Sequence, residues 1–265
     1  MPEGNVVHRN ADEMRARFAG RAVRVDSPQG RFEAGAALLD SRVLEEADAH
    51  GKHLLLRFAQ ERWLHVHLGL YGSWTTGEGT PPQPRGAVRV RLQGPGGWAE
   101  LRGPTACEVL DEAGARRVHE RLGPDPLRAD ADPDLAWARI SRSRTSVGVL
   151  LMQQDVVSGV GAIYRAEVLF RVGVSPHRPG RDLTREEWGR IWEDLVLLMR
   201  TSYEEGRIET TRPQDRELAR AVPGRGERFY VFRRTGEPCR ACGEAVAHEL
   251  MATRHLNWCP GCQPR

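Results

Sequence analysis

Apolar positions along this chain follow two different periods, and the change between them divides it. Over residues 6–18 they recur at helical spacing, with Met14 and Phe18 four apart, and Gly20 stands where a helix would stop. This predicts a short helix from Val6 to Phe18. Strand-like runs follow at Ala22–Asp26, Arg42–Ala47, Lys52–Phe58, Trp63–Leu70, Ala87–Leu92 and Trp98–Leu110. In the fourth of these, Leu64, Val66, Leu68 and Leu70 alternate with His65, His67 and Gly69, the period of a half-buried strand. The Gly-, Pro- and Thr-rich stretch Thr75–Gly86 reads as a loop. Residues 2–121 are therefore expected to form a β-sandwich or barrel carrying one N-terminal helix.

Residues 122–134 contain three prolines and read as a linker. Beyond them the period is helical. Trp188, Ile191, Trp192, Leu195, Val196, Leu198 and Met199 make an apolar stripe behind Thr184-Arg-Glu-Glu187, the signature of a capping box. Two further helices are expected on either side of the turn Val157-Ser158-Gly159-Val160-Gly161. Arg207–Arg228, polar and rich in Arg and Pro, reads as an exposed loop. The fold class is α+β with several domains: residues 2–121, a linker at 122–134, a helical domain at 135–228 and a terminal segment at 229–265.

Composition adds little except at two places. Hydrophobic residues make up 40% and charged residues 28%, and the net charge is +3. That balance permits a nucleic-acid partner without requiring one. No apolar run approaches the ~20 residues that span a bilayer, and no signal peptide is recognisable, so a cytoplasmic protein without membrane association is expected. Of 39 Lys and Arg residues, only Lys52 is a lysine. Arginine is a planar fork that stays charged, whereas lysine is a compact ammonium whose pKa shifts on burial. A single retained lysine marks either a site where arginine fails or the residue of a biased composition.

The second place is the C-terminus. Cys239-x2-Cys242-x16-Cys259-x2-Cys262 is the spacing of two knuckles wrapped around one tetrahedral Zn2+. Four thiolates leave no open position, so one structural zinc is expected, with His248 and His255 outside its ligand set. Arg254 lies between the two pairs, where small zinc hairpins often present an arginine to phosphate. At the other end, removal of Met1 would expose the secondary amine of Pro2. An α-amine has a pKa of ~7.7–8.0 against ~10.4 for lysine, so part of it is unprotonated at neutral pH. Such an amine attacking an aldehyde carbon gives an iminium, an electron sink for elimination. Glu3 beside it could serve as general acid or base. Taken alone, Met-Pro-Glu is a common beginning.

Together, Met1-Pro2-Glu3-Gly4, Gly51-Lys52-His53, His67-Leu68-Gly69-Leu70-Tyr71-Gly72, Gly159-Val160-Gly161 and Trp258-Cys259-Pro260-Gly261-Cys262-Gln263 resemble the formamidopyrimidine-DNA glycosylase/endonuclease VIII family of DNA repair enzymes. The Pro-Glu-Gly opening and Leu70-Tyr71 look more like the endonuclease VIII branch. The resemblance implies a β-sandwich domain and a helical domain with a helix–two-turn–helix motif and a zinc-finger hairpin, acting as a monomer on damaged or abasic double-stranded DNA in the nucleoid. It implies Pro2 as nucleophile at C1′ and Glu3 as proton donor to the sugar. Lys52 would support Pro2, binding phosphate and helping to hold its amine deprotonated. His67, Gly161 and Arg254 would contact phosphates, and Leu70 and Tyr71 would fill the gap left by a flipped nucleotide. The implied activity is a glycosylase and lyase removing oxidised pyrimidines by β- then δ-elimination. Ala162 and Gln153 depart from the family's usual Asn and Asp, which leaves a second reading, a non-catalytic or specialised damaged-DNA binder on the same scaffold.

Overall fold

The computed structural model describes residues 2–216 and 227–264 and divides into two compact units, Met1–Leu122 and Gly123–Arg265. The first begins with α1 (Gly4–Phe18). Val7, Ala11, Met14 and Phe18 are buried along one stripe of it, and Gly20 follows with φ +74°, the left-handed stop. Eight strands follow: β1 (Arg21–Asp26), β2 (Arg42–His50), β3 (His53–Phe58), β4 (Arg62–His67), β5 (Ser73–Gly77), β6 (Val88–Gly94), β7 (Gly97–Arg102) and β8 (Ala106–Leu110). Their order is β5-β7-β6-β1-β2-β3-β4-β8, with antiparallel neighbours throughout. Strand β1 serves two sheets. Arg21–Val23 pair with β2, and Arg24–Asp26 pair with β6. The sheets enclose one core, in which Val23, Leu54, Leu56 and Val66 meet Val90, Leu92 and Leu101 together with the α1 stripe. The expected sandwich is present.

Several boundaries differ from the sequence reading. The fourth run stops at His67, so Leu70 lies outside the strand and is exposed. Within β4 the residues Trp63, Leu64, His65 and Val66 are all buried, which the alternation did not predict. The reason is a second, small core of Leu55, Trp63, Ala115 and Val118 beneath α3 (Glu112–Glu120), so that both faces of the strand are covered. Thr75–Gly77 belong to β5 rather than a loop, and the run Trp98–Leu110 is two strands, β7 second in the order and β8 at its far end. Helix α2 (Glu33–Leu39) buries only Ala36 and Leu39, too few positions to show a period.

The second unit contains α4 (Pro133–Ile140), α5 (Val147–Leu150), α6 (Ala162–Arg171), α7 (Arg185–Glu205) and a hairpin of β9 (Ala247–Met251) and β10 (Arg254–Trp258). Helices α5 and α6 flank the Val157–Gly161 turn as expected. The Thr184/Glu187 capping box at α7 is complete. The 122–134 segment is not a bare linker: Asp125 is buried, its carboxylate accepting from the Leu127 amide, and Pro133 opens α4. The expected exposed loop at 207–228 fails at its start, because Ile208, Thr210 and Thr211 are buried. Glu167 of α6 explains this. Its buried carboxylate accepts from the Thr210 hydroxyl and from the amides of Tyr230, Val231 and Phe232. Residues 217–226 of that stretch lie outside the described residues. Among the described residues, no helix is long and apolar enough to cross a membrane.

Candidate functional site

Pro2 lies half-buried just ahead of α1, beside a cleft of about 340 Å³. Val6 and Asn10, one helical turn apart, contribute to its wall together with Leu68, Leu70, Tyr71 and Trp74 from the chain after β4. Glu3, next to Pro2, is fully buried and its carbonyl accepts from the Val6 amide at 3.0 Å. Three expected site residues, Pro2, Leu70 and Tyr71, are therefore gathered at one opening. The turn that carries the last two is closed by Gly72 N–H donating to the Leu68 carbonyl at 2.9 Å. Gly69 within it has φ +66°, and a Cβ there would approach Thr105 Oγ1 to 1.8 Å, so a side chain at this position is excluded twice over. Leu70 and Tyr71 project outward, 46% and 88% exposed. Two large side chains held out together by a tight turn form an exposed, largely apolar patch at the mouth of the cleft.

Lys52 occupies the two-residue turn Gly51-Lys52, whose flanking residues His50 and His53 are the last pair of β2 and β3. Across β3, His53 faces His67, the last residue of β4. The His67 ring is held below the usual histidine range, first by burial and then by the nearby Lys52 charge. Lys52 and His67 thus lie at the same end of the sheet.

The remaining expected residues belong to the second unit. Gly161 caps α6 in an extended conformation, and no side chain caps the helix there. The turn before it is braced by Gln154, which donates to the Met152 and Val160 carbonyls and accepts from the Gly159 amide. Ala162 is the buried first residue of α6, and Gln153 is exposed. A helix start without a side-chain cap is suited to an anionic group.

Arg254 is exposed immediately after the turn Ala252-Thr253, both residues having positive φ. The hairpin is tied to the helices by Arg165, fully buried, which donates to the His255 carbonyl at 2.7 Å and to the Gly148 carbonyl at 3.3 Å. Gln263 adds a second tie, donating to the Val174 carbonyl while accepting from the Cys259 amide.

Cys239, Cys242, Cys259 and Cys262 place their sulfurs within 4.8 Å of one another and could hold a metal ion. Tetrahedral thiolates at 2.3 Å from zinc would lie about 3.8 Å apart. The Cys239–Cys262 pair is at 3.8 Å and the Cys242–Cys259 pair at 3.3 Å, so the donor set fits with small adjustment. His248 and His255 stack on each other, with nitrogens at 2.8 Å, and are not part of the cluster.

Trp74, Asn10 and the Gln154 brace were not found from the sequence. Each acts through a contact between distant or irregular segments, which no local pattern carries.

Residues 1–103 match the formamidopyrimidine-DNA glycosylase N-terminal domain, and residues 122–213 match the formamidopyrimidine-DNA glycosylase H2TH domain. The chain is 47% identical over 268 residues to "Endonuclease 8 1" of Mycobacterium tuberculosis, covering 99% of this chain and all of the relative. It is 30% identical over 273 residues to "Endonuclease 8" of Escherichia coli at the same coverage. Among solved structures, the MutM (Fpg) protein of Thermus thermophilus superposes with a TM-score of 0.79 at 29% identity, covering 99% of this chain and 98% of the other. With both domains matched and a relative of this identity spanning its length, the chain belongs to the formamidopyrimidine-DNA glycosylase/endonuclease VIII family.

Proposed function

We propose that this DNA glycosylase and abasic-site lyase excises oxidised bases, chiefly pyrimidines, with Pro2 as its nucleophile. The observation that carries the reading is the cleft beside Pro2, walled by the projecting Leu70–Tyr71 turn and adjoining the buried Glu3. The Pro2 nitrogen would attack C1′ of the damaged nucleotide, and the C1′–N bond to the base would break. Glu3 would donate a proton to the sugar ring oxygen, opening the ring to an iminium. Loss of a C2′ proton then expels the 3′ phosphate, and a second elimination expels the 5′ phosphate. Leu70 and Tyr71 would fill the gap left in the stack, the role apolar wedges play when a base is flipped out. Lys52 and His67 would hold backbone phosphate, with Gly161 at the start of α6 and Arg254 on the hairpin as further phosphate contacts. The four cysteines would hold one Zn2+, which would supply structure and leave no open position for substrate. We take the protein to act as a monomer on duplex DNA in the nucleoid.

The preference for pyrimidines rests on the Leu70-Tyr71 pair and on the endonuclease 8 relatives. An incision assay across duplexes carrying an abasic site, an oxidised pyrimidine and 8-oxoguanine tests it. Incision at 8-oxoguanine with the oxidised pyrimidine left intact would overturn the preference.

Lys52 gives a second check. Arginine at 52 would keep the charge but replace a compact ammonium in a two-residue turn by a wide planar fork. Lys52→Arg is expected to lose excision by roughly 10- to 100-fold, since small misplacements of a contact group cost about that much. Single-turnover excision kinetics measure it, and a near-wild-type rate would reduce the lone lysine to an accident of composition.

A further inference from the structure

Five of the chain's histidines lie on or beside the outer face of β2, β3, β4 and β8, at the end where the Lys52 turn sits. Three of them form a string with a carboxylate. Glu108 of β8 lies opposite His65 of β4, and its Oε1 is 2.9 Å from His65 Nδ1. His65 Nε2 is 2.8 Å from Nδ1 of His53 on β3, with the two rings stacked. The His53 ring lies 4.9 Å from that of His67, its cross-strand partner. His53 and His65 are buried, while Glu108 is half-exposed.

Burial holds all three rings toward the neutral form, His53 down to about 3 with His65 and His67 reinforcing it. Neutrality fixes where each proton sits. The Glu108 carboxylate only accepts, so His65 carries its proton on Nδ1 and presents a bare Nε2. His53 must then donate from Nδ1. At the far end, the Gly69 amide donates to His67 Nδ1 at 3.2 Å, which leaves the His67 proton on Nε2. One hydrogen-bond string and one backbone amide thus define a single tautomer for each ring. A histidine as hard to protonate as His53 is a poor proton shuttle, and its value here is geometric.

We propose that Glu108, His65 and His53 are positioning residues for DNA binding, bracing His67 so that its Nε2–H, together with the adjoining Lys52 turn, meets a backbone phosphate. The inference deepens the reading that Lys52 and His67 contact phosphate and rests on it. His53, His65 and Glu108 come together only through strand register, so no local pattern marks the string.

Nitrogen-15 spectra of the histidine rings in the full, zinc-loaded chain test the string without DNA. Binding and excision of abasic-site and lesion duplexes then test its purpose. Glu108→Leu is expected to shift the nitrogen signals of His65 and His53, to weaken duplex binding by about tenfold, the worth of one lost charge-assisted hydrogen bond, and to raise KM with kcat nearly unchanged. Glu108→Gln, whose amide oxygen still accepts, should restore both. Ring signals of His65 and His53 unmoved in Glu108→Leu would overturn the string. Moved signals with undiminished affinity, in a protein that His67→Ala weakens, would overturn its positioning role and leave the phosphate reading standing. Wild-type affinity in both His67→Ala and Lys52→Ala would remove that reading and the proposal with it.

Discussion

Replacing Pro2 by glycine is expected to cut the rate of covalent capture on abasic DNA by about 10²-fold or more, the size of effect that a misplaced reacting group produces. The comparison isolates the ring, since glycine at this position would still offer an amine. A secondary amine adding to the sugar aldehyde and losing water gives an iminium that is charged without taking up a further proton. A primary amine gives a neutral imine that must be protonated before it draws electrons from C2′. The pyrrolidine ring also ties the nitrogen to the side chain and blocks rotation about N–Cα, so the nitrogen is held at the cleft without the freedom glycine would bring. Sodium borohydride reduces the intermediate to a stable protein–DNA adduct that gel mobility and mass spectrometry can follow. Wild-type protein that forms no adduct, or a glycine variant that forms it at the same rate, would end the case for Pro2.

The other large effect is expected at the cysteines. Cys242→Ser should abolish stoichiometric zinc and lower duplex affinity by two orders of magnitude or more, because structural zinc contributes roughly 10–16 kcal/mol to small domains that depend on it. The hairpin itself buries only Met251, Leu256 and Trp258, packed against Val149, and the knuckles sit in a small cluster of Ala166, Phe170, Tyr230, Val231 and Val246 together with Cys239 and Cys259. The ties from Arg165 to the His255 carbonyl and from Gln263 to the Val174 carbonyl are single hydrogen bonds, each worth roughly 1–3 kcal/mol. The sandwich has a separate core and should keep its fold. Metal content by mass spectrometry, circular dichroism and salt-titrated duplex binding separate these outcomes. A variant that keeps one zinc per chain and full affinity would refute the four-thiolate site.

Periodicity was enough to place most of the framework. The α1 stripe, the α7 capping box and the cysteine knuckles are local signals, and each appears where its spacing put it. Pro2 and Glu3 are a common beginning by themselves and stood out only through the company of the Lys52, His67–Gly72 and cysteine motifs, which together carry the family resemblance. What stayed illegible depends on who sits opposite. His65 reads as the solvent face of β4 until α3 and the string to Glu108 cover it. Leu70 continues an alternating pattern, yet the left-handed Gly69 ends the extended chain and turns it outward. Thr210 and Thr211 are polar and look exposed until Glu167 gathers them. For His65 and the two threonines a tertiary partner overrides a local preference, and for Leu70 a single left-handed glycine does so.

The turn between β2 and β3 also settles how a covalent intermediate can be assigned. An imine needs an amine nitrogen, and a guanidinium, with its pKa above 12, does not supply one at working pH. Because Lys52 is the sole lysine in this sequence, the candidates are reduced to two, the α-amine at the start and the Nζ in that turn. A chain with arginine at 52 would hold only the first.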